Sequence, residues 1–365
     1  MNHNINELKA RLSQAGITLI EPTTVMPLQA PWFVRGLQAF SGWLAALFLL
    51  GFIATGLVFV VESPAASMGV GLVMIGAAFA LLRTARSDVL EHMALAVSLA
   101  GQLLIAWGIV ELWELSNSLW WLLFGLQAML ALVMPSRVHR SFSALAASLA
   151  LYMALSVSAM GQVASGILLL ALTLLWLNEF RWPRRINAMQ AWGYGLLIGL
   201  LFIQCLALSG QPFWFWFDHH SRGDFAWLAP WLSVVLIAIS LILLLYAVFQ
   251  RHLPFKTHKA QLTGSVFVGA AALLLITFYA PGIGQGVVVL LLGFAIGHRV
   301  LVGLGVFSLL VGIVSFYYWL DATLLTKALT LLVMGGLLLM LRWGLRRWLG
   351  AFLTQPSGGS LDNEA

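Results

Sequence analysis

The chain has 365 residues, of which 61% are hydrophobic and 9% are charged. Soluble domains carry about a quarter of their residues as charged side chains, so this composition excludes a water-soluble globular fold. The formal net charge of +6 is spread over short loops and forms no basic stripe, so we expect no nucleic-acid partner.

The first segment of the chain is polar enough to lie outside a membrane. Residues Asn4 to Glu7 have the side-chain spacing of a helix-capping box, and Ile5, Leu8 and Leu12 share one helical face behind it. We therefore predict that residues 1–37 form a cytoplasmic segment containing a short amphipathic helix.

Long apolar runs follow one another from Phe40 to Trp343. Runs of about 20 residues span the roughly 30 Å of a bilayer core as helices, and these runs lack the alternating pattern of barrel strands. We predict an all-α polytopic membrane helix bundle, with its transmembrane domain at 38–343. The twelve predicted spans are 38–61, 65–82, 89–110, 118–135, 142–159, 162–178, 188–209, 227–249, 262–280, 283–298, 301–320 and 324–342.

The positions of the basic residues along the chain agree with this number of spans. All but two of the 19 lysines and arginines fall in the termini and in alternate loops, and the exceptions are Arg222 and Lys327. Because short basic loops stay in the cytoplasm, both chain ends are predicted to be cytoplasmic. Keeping this alternation requires a break between the tenth and eleventh spans, at His298 and Arg299. The tail 344–365 is then cytoplasmic, and its acidic, Ser/Gly-rich part is predicted to be disordered from about residue 355.

Four polar side chains inside predicted spans are candidate site residues, although no ionisable one falls near the middle of a span. Glu91 and His92 are about one turn inside the cytoplasmic end of the third span, where they either anchor the helix at the interface or relay protons. Gln102 and Gln127 lie near the middle of the third and fourth spans. An amide there either bonds to a neighbouring helix or lines a polar path. The single cysteine, Cys205, is expected to be buried and inert.

The longest outer loop, 211–225, combines aromatic, acidic and histidine side chains. Its aromatic run fits the membrane interface, and the loop is a candidate partner-facing surface. Adjacent histidines diverge on a regular element, and the spacing matches no metal motif. No metal, cofactor or catalytic residues are therefore predicted. The residues of this candidate surface are Phe213, Trp214, Trp216, Asp218, His219, His220, Arg222 and Asp224.

A glycine-rich segment opens the short tenth span. Short helices interrupted by glycine and proline often mark binding sites in transporters, so this segment is a candidate pathway or hinge. The alternative is an external turn joined to a compact helix. The residues concerned are Pro281, Gly282, Gly286, Gly293 and Gly297.

The entry to the first span carries a family resemblance. Pro31-Trp32-Phe33-Val34-Arg35, followed by Gly42-Trp43-Leu44-Ala45-Ala46, resembles a bacterial inner-membrane family known as domain-of-unknown-function family 4401, over nearly the whole chain. The resemblance implies a place in the bacterial cytoplasmic membrane. It also implies two partners besides the lipid bilayer, a related multi-pass protein and a small membrane-anchored protein with a GDYxxLxY motif. That motif is absent here, so this chain would be the large subunit.

Three classes of function remain open from the sequence. The leading hypothesis is a structural or scaffold subunit of a membrane assembly, because no charge lies mid-span and the outer loop is aromatic. The first alternative is a transporter or channel for a small or apolar solute. The second is an intramembrane enzyme acting on a lipid-linked substrate, which requires Glu111 and Glu114 to meet the acidic and histidine residues of the outer loop.

Overall fold

The computed structural model describes residues 63–84, 88–113, 117–208, 226–252, 280–319 and 323–329, with scattered positions within 14–62, 273–278 and 332–339. Within these ranges the chain is helical and forms no strand. Short 3-10 turns connect α5 to α6 and precede α7. The principal helices are α1 (Pro64–Thr84), α2 (Asp88–Trp113), α3 (Asn117–Val133), α4 (Arg137–Val157), α5 (Gly161–Leu177), α6 (Ile186–Leu208), α7 (Ala229–His252), α8 (Pro281–Ile296) and α9 (Arg299–Trp319).

Each of these helices coincides with one predicted span. The largest difference is at the start of α4, predicted at residue 142 and found at Arg137. The predicted break between the tenth and eleventh spans is confirmed, because α8 ends at Ile296 and α9 begins at Arg299. The spans predicted at 38–61, 262–280 and 324–342 lie largely outside the described residues, as do the amphipathic helix and the tail.

The helices have the dimensions of membrane spans. Most of them are long and apolar enough to cross a bilayer. Three other described helices are apolar but shorter: Ser118–Val133, Gly161–Leu177 and Pro281–Ile296. The chain is therefore a membrane protein, while the total of twelve spans and the orientation stay predictions. Six helices among the described residues are long and apolar enough to cross: Pro64–Thr84, Val89–Leu112, Arg137–Val157, Pro183–Ala207, Ala229–Val248 and Arg299–Tyr318.

One large apolar core contains buried residues from each of the six helices α4, α5, α6, α7, α8 and α9. Leu169, Leu197, Val289 and Leu301, from four different helices, are fully buried in it. Helix α4 packs on α3 and α6, and α5 packs on α7. The prediction that Cys205 is buried is wrong, because its side chain is exposed on α6. An apolar run predicts a membrane helix but does not distinguish the face toward protein from the face toward lipid.

Helices α1 and α2 form a hairpin beside this bundle. The two helices pack closely on each other, and among the described residues they meet the other helices mainly through a narrower contact of α2 with α3. Small apolar clusters, such as that of Ala78 and Leu82 on α1, Ala94 on α2 and Leu130 on α3, lie between these two helices and α3. We refer to α1 and α2 as the hairpin and to α3–α9 as the body.

Arginines gather at one end of the described bundle, which we call the basic end. The turns between α1 and α2, α3 and α4, α5 and α6, and α8 and α9 all lie there. Hydrogen bonds between Glu91 and Ser136 and between Tyr194 and His298 join these turns. Among the described side chains, the basic residues at this end are Arg83, Arg137, Arg140, Arg181, Arg184, Arg185 and Arg299.

Candidate functional site

A chain of buried hydrogen bonds joins α2, α3 and α4. We call it the seam, and it consists of Ser98, Gln102, Gln127, His139 and Ser143, each at most 8% exposed. Gln127 Nε2 donates to Gln102 Oε1 (2.6 Å), and Gln102 Nε2 donates to Ser98 Oγ (3.1 Å). The His139 ring lies between two hydroxyls, with Nε2 2.8 Å from Ser98 Oγ and Nδ1 3.1 Å from Ser143 Oγ.

The hydroxyls of the seam accommodate either tautomer of His139. Ser98 Oγ accepts from Gln102 and can either donate its proton to His139 Nε2 or accept a second hydrogen bond from Nε2–H, with Ser143 taking the complementary role at Nδ1. At the head of the chain, Gln127 Oε1 is buried and has no partner among the described residues. An unsatisfied buried acceptor costs about 1–3 kcal/mol, so the closed seam carries a cost in stability.

Ser136 caps the start of α4, next to His139 of the seam. Its hydroxyl accepts the backbone N–H of His139 (3.2 Å) as an N-cap and donates to Glu91 Oε1 on α2. The Arg83 guanidinium lies over the ring of Phe79, 4.5 Å from the ring centroid. Glu91 therefore ties the hairpin to the body, while the neighbouring His92 Nδ1 is buried without a partner among the described residues.

His139 is a site residue that the sequence did not predict. Its position falls in a predicted loop, because Arg137 and Arg140 flank it and the apolar run begins after them. In the structure Arg137 is exposed and His139 lies on the buried face of α4. Adjacent helical positions point about 100° apart, so a cationic neighbour does not place a residue outside the bundle. The helical spacing of His139, Ser143 and Ala147 is the signal that could have found it.

A second buried network links α5, α6, α8 and α9. Ser308 Oγ donates to Gln204 Oε1 (2.8 Å), and Gln204 Nε2 donates to Gln285 Oε1 (2.7 Å). Gln285 Nε2 donates to Ser165 Oγ (2.7 Å), and Ser165 donates to the Gln162 carbonyl (2.9 Å). We call Ser165, Gln204, Gln285 and Ser308 the second network. Unlike the seam, it uses every amide oxygen as an acceptor.

The predicted glycine-rich segment lies at the contact of α8 with α9. A Cβ on Gly286 would be 2.5 Å from Leu309 Cα, and one on Gly293 would be 2.7 Å from the Val302 nitrogen. Gly282 faces Gly312, and Pro281 occupies the first turn of α8. Gly297 ends α8 with φ +76°, a conformation that side chains disfavour. These residues therefore let two helices pack closely, and the pathway or hinge role stays a prediction.

The remaining predicted candidates lie outside the described residues. They include the whole outer surface from Phe213 to Asp224, together with Glu114. Glu111 is exposed at the end of α2. Within the described ranges, no group of three or more His, Cys, Asp or Glu side chains is arranged to hold a metal ion.

Comparison with protein families gives a match that covers most of the chain. No curated protein and no solved structure matches this chain. The family model described as a domain of unknown function (DUF4401) matches residues 31–348. The resemblance at the entry to the first span is thereby confirmed, and the chain belongs to the DUF4401 family.

Proposed function

We propose that the protein is a transporter or channel for a small solute in the bacterial cytoplasmic membrane, and that the seam forms part of its path. The observation that carries this proposal is the burial of an ionisable residue, His139, among polar side chains of membrane helices. Ionisable and polar groups are costly in a membrane interior and are retained there mainly for function.

The position of the seam supports movement. It lies between the hairpin and the body, where apolar contact is narrow among the described residues. Many transporters work by rocking one helical unit against another around a polar site. An interface of hydroxyls, amides and imidazole can separate and admit water at lower cost than an interface of apolar side chains.

The unpartnered oxygen of Gln127 gives a reason for a second conformation. In the closed arrangement this acceptor lacks a donor among the described residues. Separation of the hairpin from the body would let water or a polar solute donate to it, which offsets part of the cost of opening. Gln102 lies about 21 Å along α2 from Asp88, so such a path would reach deep into the bundle.

Accessibility of engineered cysteines tests this proposal even while the solute is unidentified. In a Cys205→Ser background, Ser98→Cys and Ser143→Cys should react in membranes with a water-soluble methanethiosulfonate reagent. Ser308→Cys is the matched control, because Ser308 is as buried as Ser98 but belongs to the fully paired second network. Labelling of both seam cysteines but not of the control supports a path. Equal labelling of the seam and the control, or labelling of neither, contradicts it.

A scaffold subunit is the second candidate function. It is favoured by the closely packed body, where the second network and the glycine contacts of α8 and α9 resist separation. In this case the partners would be the related multi-pass protein and the GDYxxLxY protein that the family resemblance implies. Gentle-detergent purification followed by native mass determination separates the two candidates. A stoichiometric membrane partner favours the scaffold, and a chain that purifies alone counts against it.

A further inference from the structure

The turn between α8 and α9 depends on one histidine. Gly297 ends α8 in the left-handed region, and the His298 N–H donates to the Gly293 carbonyl at 3.0 Å. His298 is then the N-cap of α9, because its Nδ1 accepts the backbone N–H of Leu301 at 3.3 Å. Side-chain acceptors at this position satisfy a helix N–H that has no partner within the helix.

This hydrogen bond fixes the tautomer of His298. Since Nδ1 accepts an N–H, it carries no proton, and the neutral ring bears its hydrogen on Nε2. Nε2 lies 3.0 Å from the hydroxyl oxygen of Tyr194 on α6 and therefore donates to it. One imidazole thus caps α9 and ties the α8–α9 turn to α6.

The His298 ring lies at the edge of the described bundle, among aromatic and titratable side chains. The ring is half-buried, with the Trp176 ring centre 5.3 Å away and the Tyr194 ring centre 5.9 Å away. Among the described residues, the titratable groups on the elements around it are Tyr194 and Cys205 on α6, Glu179, Arg181, Arg184 and Arg185 between α5 and α6, and Arg299, Tyr317 and Tyr318 on α9. Glu179 is buried and accepts from Gln190 Nε2 (2.7 Å), and Arg299 is exposed.

We propose that His298 is a pH-sensitive latch, whose protonation breaks the cap of α9 and loosens the first turn of that helix, while Nε2–H still donates to Tyr194. A proton added to Nδ1 places two donors face to face, Nδ1–H and the Leu301 N–H, so the cap is lost. A positive charge at a helix N-terminus is also opposed by the helix dipole. The latch does not depend on the proposed transport through the seam.

Hydrogen–deuterium exchange of peptides covering 297–305 tests the latch in the full-length protein in nanodiscs. After correction for the intrinsic effect of pH, exchange at this turn should be about 2- to 30-fold faster at pH 5.5 than at pH 7.5, the range expected for a lost N-cap. The α4–α5 turn at 158–162 contains no histidine and is the internal reference. Its corrected exchange should stay constant.

His298→Asn is the matched variant, because asparagine caps helices well but does not titrate in this range. It should keep the protection at pH 7.5 and lose the acceleration at pH 5.5. Wild-type exchange that is independent of pH, or an equal acceleration in His298→Asn, overturns the proposal. Nitrogen-15 NMR of histidine-labelled protein gives a second readout. The signal absent from His298→Asn should show an unprotonated Nδ1 at pH 7.5, and a protonated Nδ1 there also overturns it.

Discussion

Two sets of buried amides show how single residues distinguish a structural contact from a candidate site. In the second network every amide oxygen accepts a hydrogen bond, and the last hydroxyl donates to a helix carbonyl. In the seam, the Gln127 oxygen accepts nothing among the described residues. Buried polar groups in proteins are nearly always paired. The unpaired Gln127 oxygen, and not the presence of a hydrogen-bond network as such, therefore points to function.

This difference predicts unequal costs for two similar substitutions. Gln204→Leu leaves the Gln285 oxygen without its donor and Ser308 without its acceptor, so it should lower the free energy of unfolding by about 1–3 kcal/mol. Gln127→Leu leaves only the Gln102 oxygen without its donor and at the same time removes the unsatisfied Gln127 oxygen, so its net cost should be smaller. Unfolding titrations with SDS in mixed micelles measure both. A larger loss for Gln127→Leu would contradict the assignment of the two networks.

The coupling within the second network can be measured in the same assay. Once Gln204 is replaced, Gln285 has already lost its donor, so Gln204→Leu with Gln285→Leu should cost less than the sum of the two single substitutions. Additive losses would show that the two amides do not act as one network.

Residues of the site were predictable from the sequence only where they interrupt an apolar run. Gln102 and Gln127 do so, and both are predicted as intramembrane polar residues. His139 escapes prediction because the flanking arginines favour a loop. Gln204, Gln285 and Ser308 also lie within apolar runs, but their pairing joins helices far apart in the chain. That pairing depends on tertiary packing, which a single sequence does not contain.

At the scale of elements, the apolar runs were sufficient to place the described helices. Hydropathy predicted all nine to within a few residues, because a helix that crosses lipid must satisfy its backbone internally over a set length. The break between α8 and α9 was found from charge alternation alone. Hydropathy could not show which helices pack most closely, since this depends on small side chains on matching faces.

The contact between α8 and α9 predicts strong position dependence for glycine substitutions. Gly286→Ala places a Cβ against Leu309 Cα at 2.5 Å and should destabilise the protein by about 1–3 kcal/mol, as overpacking usually does. Gly303→Ala is the control, because nothing lies within 4 Å of its Cβ position. That change should be neutral or slightly stabilising through helix propensity. Thermal unfolding in detergent compares them, and equal shifts in Tm would contradict the close approach of the two helices.

At the scale of the whole molecule, the described helices form two units joined by the seam. The body is held by a large apolar core and by the second network, whereas the hairpin meets it through small apolar clusters and polar side chains. This unequal attachment is the basis for proposing that the hairpin moves.

Orientation of the whole molecule is predicted from its charges. The basic end should face the cytoplasm, because positively charged loops are retained there. A fluorescent protein that matures only in the cytoplasm should therefore fluoresce when fused after Ala365. A dark fusion that is nevertheless present in the membrane would place the carboxyl end outside and require a different number of spans.

The central claim is that water reaches the seam while the second network stays dry. Hydrogen–deuterium exchange in nanodiscs tests it directly, because exchange requires both local opening and contact with water. Segments 98–105 of α2 and 286–293 of α8 are comparable, since both lie inside membrane helices next to buried glutamines. We expect faster exchange in 98–105 than in 286–293. Equal protection of the two segments over hours would contradict the claim and favour the scaffold.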